Sequence, residues 1–302
     1  MAWDSQMRLF FHEVSEDLRG FIITMLVLNM LCLLATLLLN VFPLITLIFV
    51  RSLQTASNSL LGAMCVVDIA VAIFVQIIYQ AMLQSTLSSE STPSIGTFIS
   101  FAVMFALCRG TLCLIIALIS LDRFTAVCQP FFYLGRVTVA KYLTICGSVC
   151  SVWTGLCIIV IGSRSDTAIY CTLGFCMTFS FGVITFCCTK ILMVVRQQRR
   201  RVQTVGKISG TANTGGRRQR EGGKAFFIVI EVMVFIAGNL PSLMALLWFL
   251  PGNVSNDSML VWTNVVILAT NINCVINPLI YCLRSTDIRK GAKKLFKRSD
   301  YW

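Results

Sequence analysis

Leu112-Cys113-Leu114-Ile115-Ile116-Ala117-Leu118-Ile119-Ser120-Leu121 runs straight into Asp122-Arg123, and the chain continues Phe124-Thr125-Ala126-Val127-Cys128-Gln129-Pro130. An apolar run that ends in two adjacent opposite charges marks the place where hydrocarbon meets water. Taken alone, the pair is a membrane boundary and nothing more. The other reading is that Asp122 holds Arg123 in one state and releases it to a different partner in a second. The rest of the chain decides between them.

Outward from this stretch the sequence is a series of similar runs. Apolar segments of about 20 residues or more, long enough to cross a bilayer, lie near 20–50, 58–84, 95–124, 139–162, 168–196, 223–250 and 259–283. Of the 302 residues, 57% are hydrophobic and 13% charged, and the mean hydropathy is +0.81. That composition excludes an ordinary soluble domain and predicts an all-α membrane protein, a seven-transmembrane-helix bundle. No internal repeat is seen, which weighs against the repeat-built transporters. Pro43, Pro241 and Pro278 fall inside spans and are expected to bend them.

Charge placement orients the bundle. Net charge is +12. Of the 25 Lys and Arg, most lie on one side: Arg51, Arg123, Arg136, Lys141, the group from Arg196 to Lys224 and the group from Arg284 to Arg298. Arg8, Arg19 and Arg164 lie on the other, and Arg109 and Lys190 fall within spans. By the positive-inside rule residues 1–19 are extracellular and the C-terminus is cytosolic, in a multi-pass protein of the cell membrane. The basic runs abut spans, so their expected contacts are anionic inner-leaflet lipid or a cytosolic protein, not nucleic acid. Residues 197–223, rich in Arg, Gly, Thr and Gln, read as a cytosolic loop between spans five and six. Residues 284–302 read as a short amphipathic eighth helix and tail, in which Ser285-Thr286-Asp287 is a start signal. The sequons Asn253-Val254-Ser255 and Asn256-Asp257-Ser258 fall before span seven.

Other chemistries are poorly served. His12, in the polar N-terminal segment, is the single histidine, so a His triad or a His proton relay in the membrane is excluded. The 14 cysteines show no CxxC or zinc spacing and read as small hydrophobes. No metal site and no cofactor is expected, and the chain does not read as an enzyme.

Ionisable residues inside spans are functional candidates. They are Asp68, Arg109, Glu231 and Lys190, of which Lys190 can snorkel. Asn273, Asn277 and Tyr281 are four apart on one face of span seven, and with Asn40 and Asp68 they make a plausible buried polar network. That network serves as glue between helices, as a switch, or as both. Arg109 lies about 21 Å along the helix from Arg123, at about 1.5 Å per residue, which puts it in the outer half of the bilayer. It can bind an anionic ligand group there. Alternatively it is neutralised by Asp68 or hydrogen-bonded to Asn239 or Asn271. Tyr79, Phe105, Arg109, Asn239 and Asn271 are the candidate pocket residues.

The motifs taken together resemble class A, rhodopsin-like G-protein-coupled receptors. Asn40, Leu53-Gln54-Thr55, Asn58 and Asp68 match the pattern of spans one and two. Asp122-Arg123-Phe124 is similar to the family's Asp-Arg-Tyr. Trp153, Pro241 and Asn277-Pro278-Leu279-Ile280-Tyr281 match later spans. Asp122 to Pro130 with Tyr133, the ending from Asn277 to Arg289, and Lys224-Ala225-Phe226 most resemble the odorant receptors. The resemblance implies a small-molecule ligand such as an odorant, a heterotrimeric G protein as partner, and a switch formed by Asp122, Arg123, Asn277, Pro278 and Tyr281. It also implies Glu221, 20 residues before Pro241, as a resting partner for Arg123. Phe98 stands where the family carries a disulfide cysteine, Asn239 where it carries a tryptophan, and Leu112 where it carries a sodium ligand, so no sodium ion is expected at Asp68. Span seven has no lysine, so a retinal Schiff base is ruled out. A class A receptor for a lipid, metabolite or peptide is the alternative, and a seven-helix transporter or channel is the reading from another class.

Overall fold

The computed structural model describes residues 16–88, 94–163, 165–209, 233–234, 236–245, 256–285 and 288–291. The described residues are almost wholly helical, with no strand among them. Span one is Glu16–Phe49. Span two is Ala56–Ala70, a π-helical stretch Val71–Gln76, and Ile77–Leu87. Span three is Ile95–Cys128, span four Val139–Gly162 and span five Asp166–Ser209. Span six contributes helical residues 233–234 and 236–245, and span seven is Asn256–Arg284. Six of these helices are long and apolar enough to cross a membrane. With span six in its place in the order, the fold is the expected all-α seven-helix membrane bundle.

The helices begin where the sequence supplies a cap. Thr55, Ser94 and Thr138 have extended backbones, and each side-chain oxygen accepts the N–H three residues on, from Asn58, Thr97 and Lys141. Inside the spans, hydroxyls turn back on their own helix. Thr46 donates to Phe42 O at 2.9 Å and Ser120 to Ile116 O at 3.0 Å. This satisfies polar side chains where no water is at hand.

Span three is the axis of the bundle. Its apolar window is 56% buried, against 17% for span four at the rim. It packs on spans two, four and five. Leu112, Ile115, Ile116 and Ile119 join Leu60, Met64 and Val71 in the main core. Leu38, Val152, Ile159 and Phe175 point outward and leave apolar surface for lipid. Two glycines allow close approach. A Cβ on Gly110 would run into the Trp153 ring, and one on Gly238 into the Asn273 carboxamide. Trp153 Nε1 completes the first contact by donating to Leu107 O at 3.2 Å.

Several boundaries differ from the expectation. Span one's helix already includes residues 16–19. Span five's helix runs on through Ser209, so residues 197–209 are helix and not loop. Arg, Gln and Lys favour helix, and the Gly- and Thr-rich segment starts only afterwards. A separate helix, Pro130–Arg136, lies between spans three and four, with proline at its first turn where the missing N–H costs nothing. Pro43 and Pro278 lie within continuous helices. Near the end, the Ser285 hydroxyl accepts Ile288 N–H at 3.2 Å, and Ile288 is buried. Gly291 stands against Leu53 and Thr46, so helical residues 288–291 seat on the end of span one. Glu221, Glu231, Asn253 and the basic residues 293–298 lie outside the described residues.

Candidate functional site

Asp122 is buried at the end of span three, its side chain 1% exposed. Its carboxylate accepts Ser57 Oγ–H at 2.6 Å and Tyr133 O–H at 2.9 Å. Ser57 comes from span two and Tyr133 from the Pro130–Arg136 helix, so one carboxylate ties three elements together. Burial and the neighbouring Asp122 raise the Tyr133 phenol above its ordinary pKa, against the lowering influence of Ser57, and the phenol stays a donor. Arg123 Nε lies 3.7 Å from Asp122 Oδ2, within ion-pair range but beyond a hydrogen bond, and its side chain is 32% exposed. The hydroxyls therefore hold Asp122 more tightly than the arginine does. Beside this end, Phe124 tilts against Phe186 at 6.0 Å, and Lys190 lies over the same ring at 5.7 Å.

Arg109 is 4% exposed. Its Nη2 donates to Asn239 Oδ1 at 2.8 Å, Ser242 Oγ at 3.2 Å and Gly238 O at 3.4 Å, all on span six. Of the alternatives that the sequence left open for Arg109, the geometry has Asn239 and neither Asp68 nor Asn271.

Asn271 instead donates to Asn29 Oδ1 at 2.8 Å. Asn29 in turn donates to Gln80 Oε1 at 2.7 Å and Gln76 O at 3.1 Å. Tyr79 donates to Asn264 and stacks on Phe101 at 5.6 Å, and Phe101 meets Phe105 at 5.9 Å. The five candidate pocket residues thus fall into an aromatic row with Tyr79 and Phe105, a span three–six group with Arg109 and Asn239, and a span one–two–seven amide group with Asn271.

The polar network also divides. Asn40 Nδ2 donates to Thr36 O and Cys274 O, both at 3.0 Å. Both Asp68 oxygens are buried without a hydrogen-bond partner among the described residues, with the Cys274 thiol against them. Asn273 faces away from both and packs on Gly238. Asn277 and Pro278 lie in the span-seven helix. The Tyr281 side chain, like Glu221, lies outside the described residues.

Ser57, Asn29, Gln76, Gln80 and Ser242 were not singled out from sequence. Gln76 and Gln80, four apart in an apolar run, carried a readable signal, since they share a face. Ser57 carried none.

A family model described as 7 transmembrane receptor (rhodopsin family) matches residues 39–167, the segment that holds Asn40, Asp68, Asp122, Arg123 and Trp153. Over that segment the chain is similar to receptors of the rhodopsin family. Human Olfactory receptor 3A3 is 26% identical over 255 residues, which cover 79% of this chain and 77% of that protein. Both likenesses are to receptors. The chain's departures from the family pattern are built into the bundle. Phe98 and Leu112 are buried in the core, and Asn239 holds Arg109. Cys171 is exposed as a free thiol.

Proposed function

We propose that this receptor couples an extracellular small molecule, of the kind odorant receptors take, to a cytosolic heterotrimeric G protein. The observation that carries the reading is the state of Asp122 and Arg123. Ser57 and Tyr133 hold the carboxylate, and the neighbouring guanidinium is left partly exposed and loosely paired. An arginine so placed can exchange its partner at little cost. Positive charge puts this end in the cytosol, with the N-terminus outside. The mechanism is allosteric. Ligand between the outer halves of the spans biases a two-state bundle, and span six swings at Pro241 while span seven gives at Pro278. Arg123 then leaves Asp122, and Glu221 in the resting state, for the G protein. The basic residues of 196–224 and 284–298 frame that surface and touch anionic lipid.

Guanine-nucleotide exchange on added G protein, in membranes with and without the receptor, tests the reading. Stimulation that is lost in Arg123→Ala at equal surface expression is expected. No stimulation, together with a measurable solute flux, would mean a transporter or channel.

A second reading, a class A receptor for a lipid, metabolite or peptide, is favoured by two features. Phe98 replaces the disulfide cysteine, and only residues 163–165 separate the helices of spans four and five. The tissue in which the receptor is expressed separates this reading from the first.

A further inference from the structure

The environment of Arg109 is incomplete in a particular way. An arginine is not deprotonated in proteins, and it has five N–H donors. Among the described residues the three hydrogen bonds of Arg109 all come from Nη2, all run to neutral oxygens, and all of those oxygens belong to span six. Nε is buried and has no hydrogen-bond partner among the described residues. No carboxylate among the described residues pairs with it. Asp122 is engaged at the far end of the helix, and Asp68 has the Cys274 thiol, not Arg109, against it. A buried cation with neutral acceptors only is left with much of its desolvation cost.

The Nε and Nη2 hydrogens form the edge of a guanidinium that grips a carboxylate with two parallel bonds. Here one end of that edge is idle and the other is lent to span six. Phe105 and Phe101 lie four and eight residues before Arg109 on span three, and they continue through Tyr79 as an aromatic row. They lead from the guanidinium towards the outer end of the bundle.

We propose that Arg109 anchors the carboxylate of an amphiphilic small ligand whose apolar body lies along Phe105 and Phe101. Docking transfers Nη2 from Asn239, Ser242 and Gly238 to the ligand. The carboxylate completes the Nε–Nη2 edge, and span six loses its tie to span three at the turn next to Pro241. Binding and release of span six are then one event. The proposal deepens the reading of an outer ligand pocket and rests on it.

The test uses the full chain in lipid nanodiscs, with octanoate and hydrocinnamate as probes and their primary amides as neutral matches. Thermal stabilisation reports binding without a G protein, and nucleotide exchange reports coupling. The acids are expected to bind roughly tenfold or more tightly than the amides, the scale of one charge-assisted pair. Arg109→Gln is expected to abolish that preference, and Arg109→Lys to keep only part of it. Asn239→Ala with Ser242→Ala is expected to raise basal exchange and to lower the acid concentration needed, since the ligand no longer competes with span six. Asp68→Asn should keep the acid preference.

Equal binding of acids and amides to the unmodified receptor overturns the proposal, as does failure of either acid to bind. An acid preference that survives in folded Arg109→Gln also overturns it. If that variant does not fold, the acid–amide comparison on the unmodified chain and the double variant decide. Acid binding without nucleotide exchange upholds the anchor and removes the coupling reading. Exchange driven equally by acid and amide does the reverse.

Discussion

Span three carries two arginines, and their surroundings are opposite. Arg123 sits beside a carboxylate, is a third exposed, and makes only a loose 3.7 Å contact. Arg109 is almost fully buried, pairs with no carboxylate among the described residues, and makes its hydrogen bonds there to neutral groups of span six. At the water boundary a charge can be left half-satisfied cheaply, because solvent makes up the difference. In mid-bundle it cannot, so the protein supplies dipoles. The two sites therefore differ in what removing a charge should do. At the Asp122 end the carboxylate is the keystone and the arginine is expendable for stability. At the Arg109 end the arginine is a burden that neutral partners only partly relieve.

The sharpest way to break this contrast is Asp122→Ala. It strips Ser57 and Tyr133 of their shared acceptor and should cost about 3 kcal/mol, the scale of two hydrogen bonds to a charged group. Basal nucleotide exchange should rise with it. Thermal unfolding in detergent measures the loss, and a shift no larger than that of Arg123→Ala would end the keystone view.

Tyr133→Phe removes one of the two donors and should cost about 1 kcal/mol. It also carries a pH signature. The folded-state pKa of Tyr133 is raised, so its contribution is fully present below the ordinary tyrosine range and is lost as pH rises through the folded value. Stability of the unmodified receptor should thus hold through neutral pH and fall on the alkaline side, and in Tyr133→Phe that part of the fall should vanish.

The smallest effect is expected at Arg109→Gln. Lost hydrogen bonds are offset by relief of an unmatched buried charge, so stability should change by less than about 1 kcal/mol in either direction. A loss as large as that of Asp122→Ala would show that span six depends on the guanidinium for its place.

The bundle was legible because hydrocarbon imposes one demand on every span, and composition records it directly. The Asp122–Arg123 boundary was legible for the same reason. The Asn239 partner of Arg109 stood among the alternatives because polar residues in apolar runs are few. What the sequence did not carry was which neighbour each polar group chooses. Asn271 and Asn273 are two residues apart, yet one turns to Asn29 on span one and the other to Gly238 on span six. Helix rotation settles that, and packing sets the rotation. The far end of span five was misjudged because residues 197–209 are basic and polar, and a polar helix beyond the membrane has no apolar stripe to announce it.

The wide turns of Val71–Gln76 in span two carry one more consequence. A π-turn takes in one residue more than an α-turn, so the two halves of this span keep separate counts. Asp68 and everything before it follow one register, while Gln76, Tyr79 and Gln80 follow another. This is where span two can gain or lose a single residue over evolutionary time without disturbing Asp68. A relative with a straight helix here would align residue for residue through Ala70 and then present different side chains to spans one and seven. Ligand preference could diverge through that one adjustment, with the Asp122 end untouched.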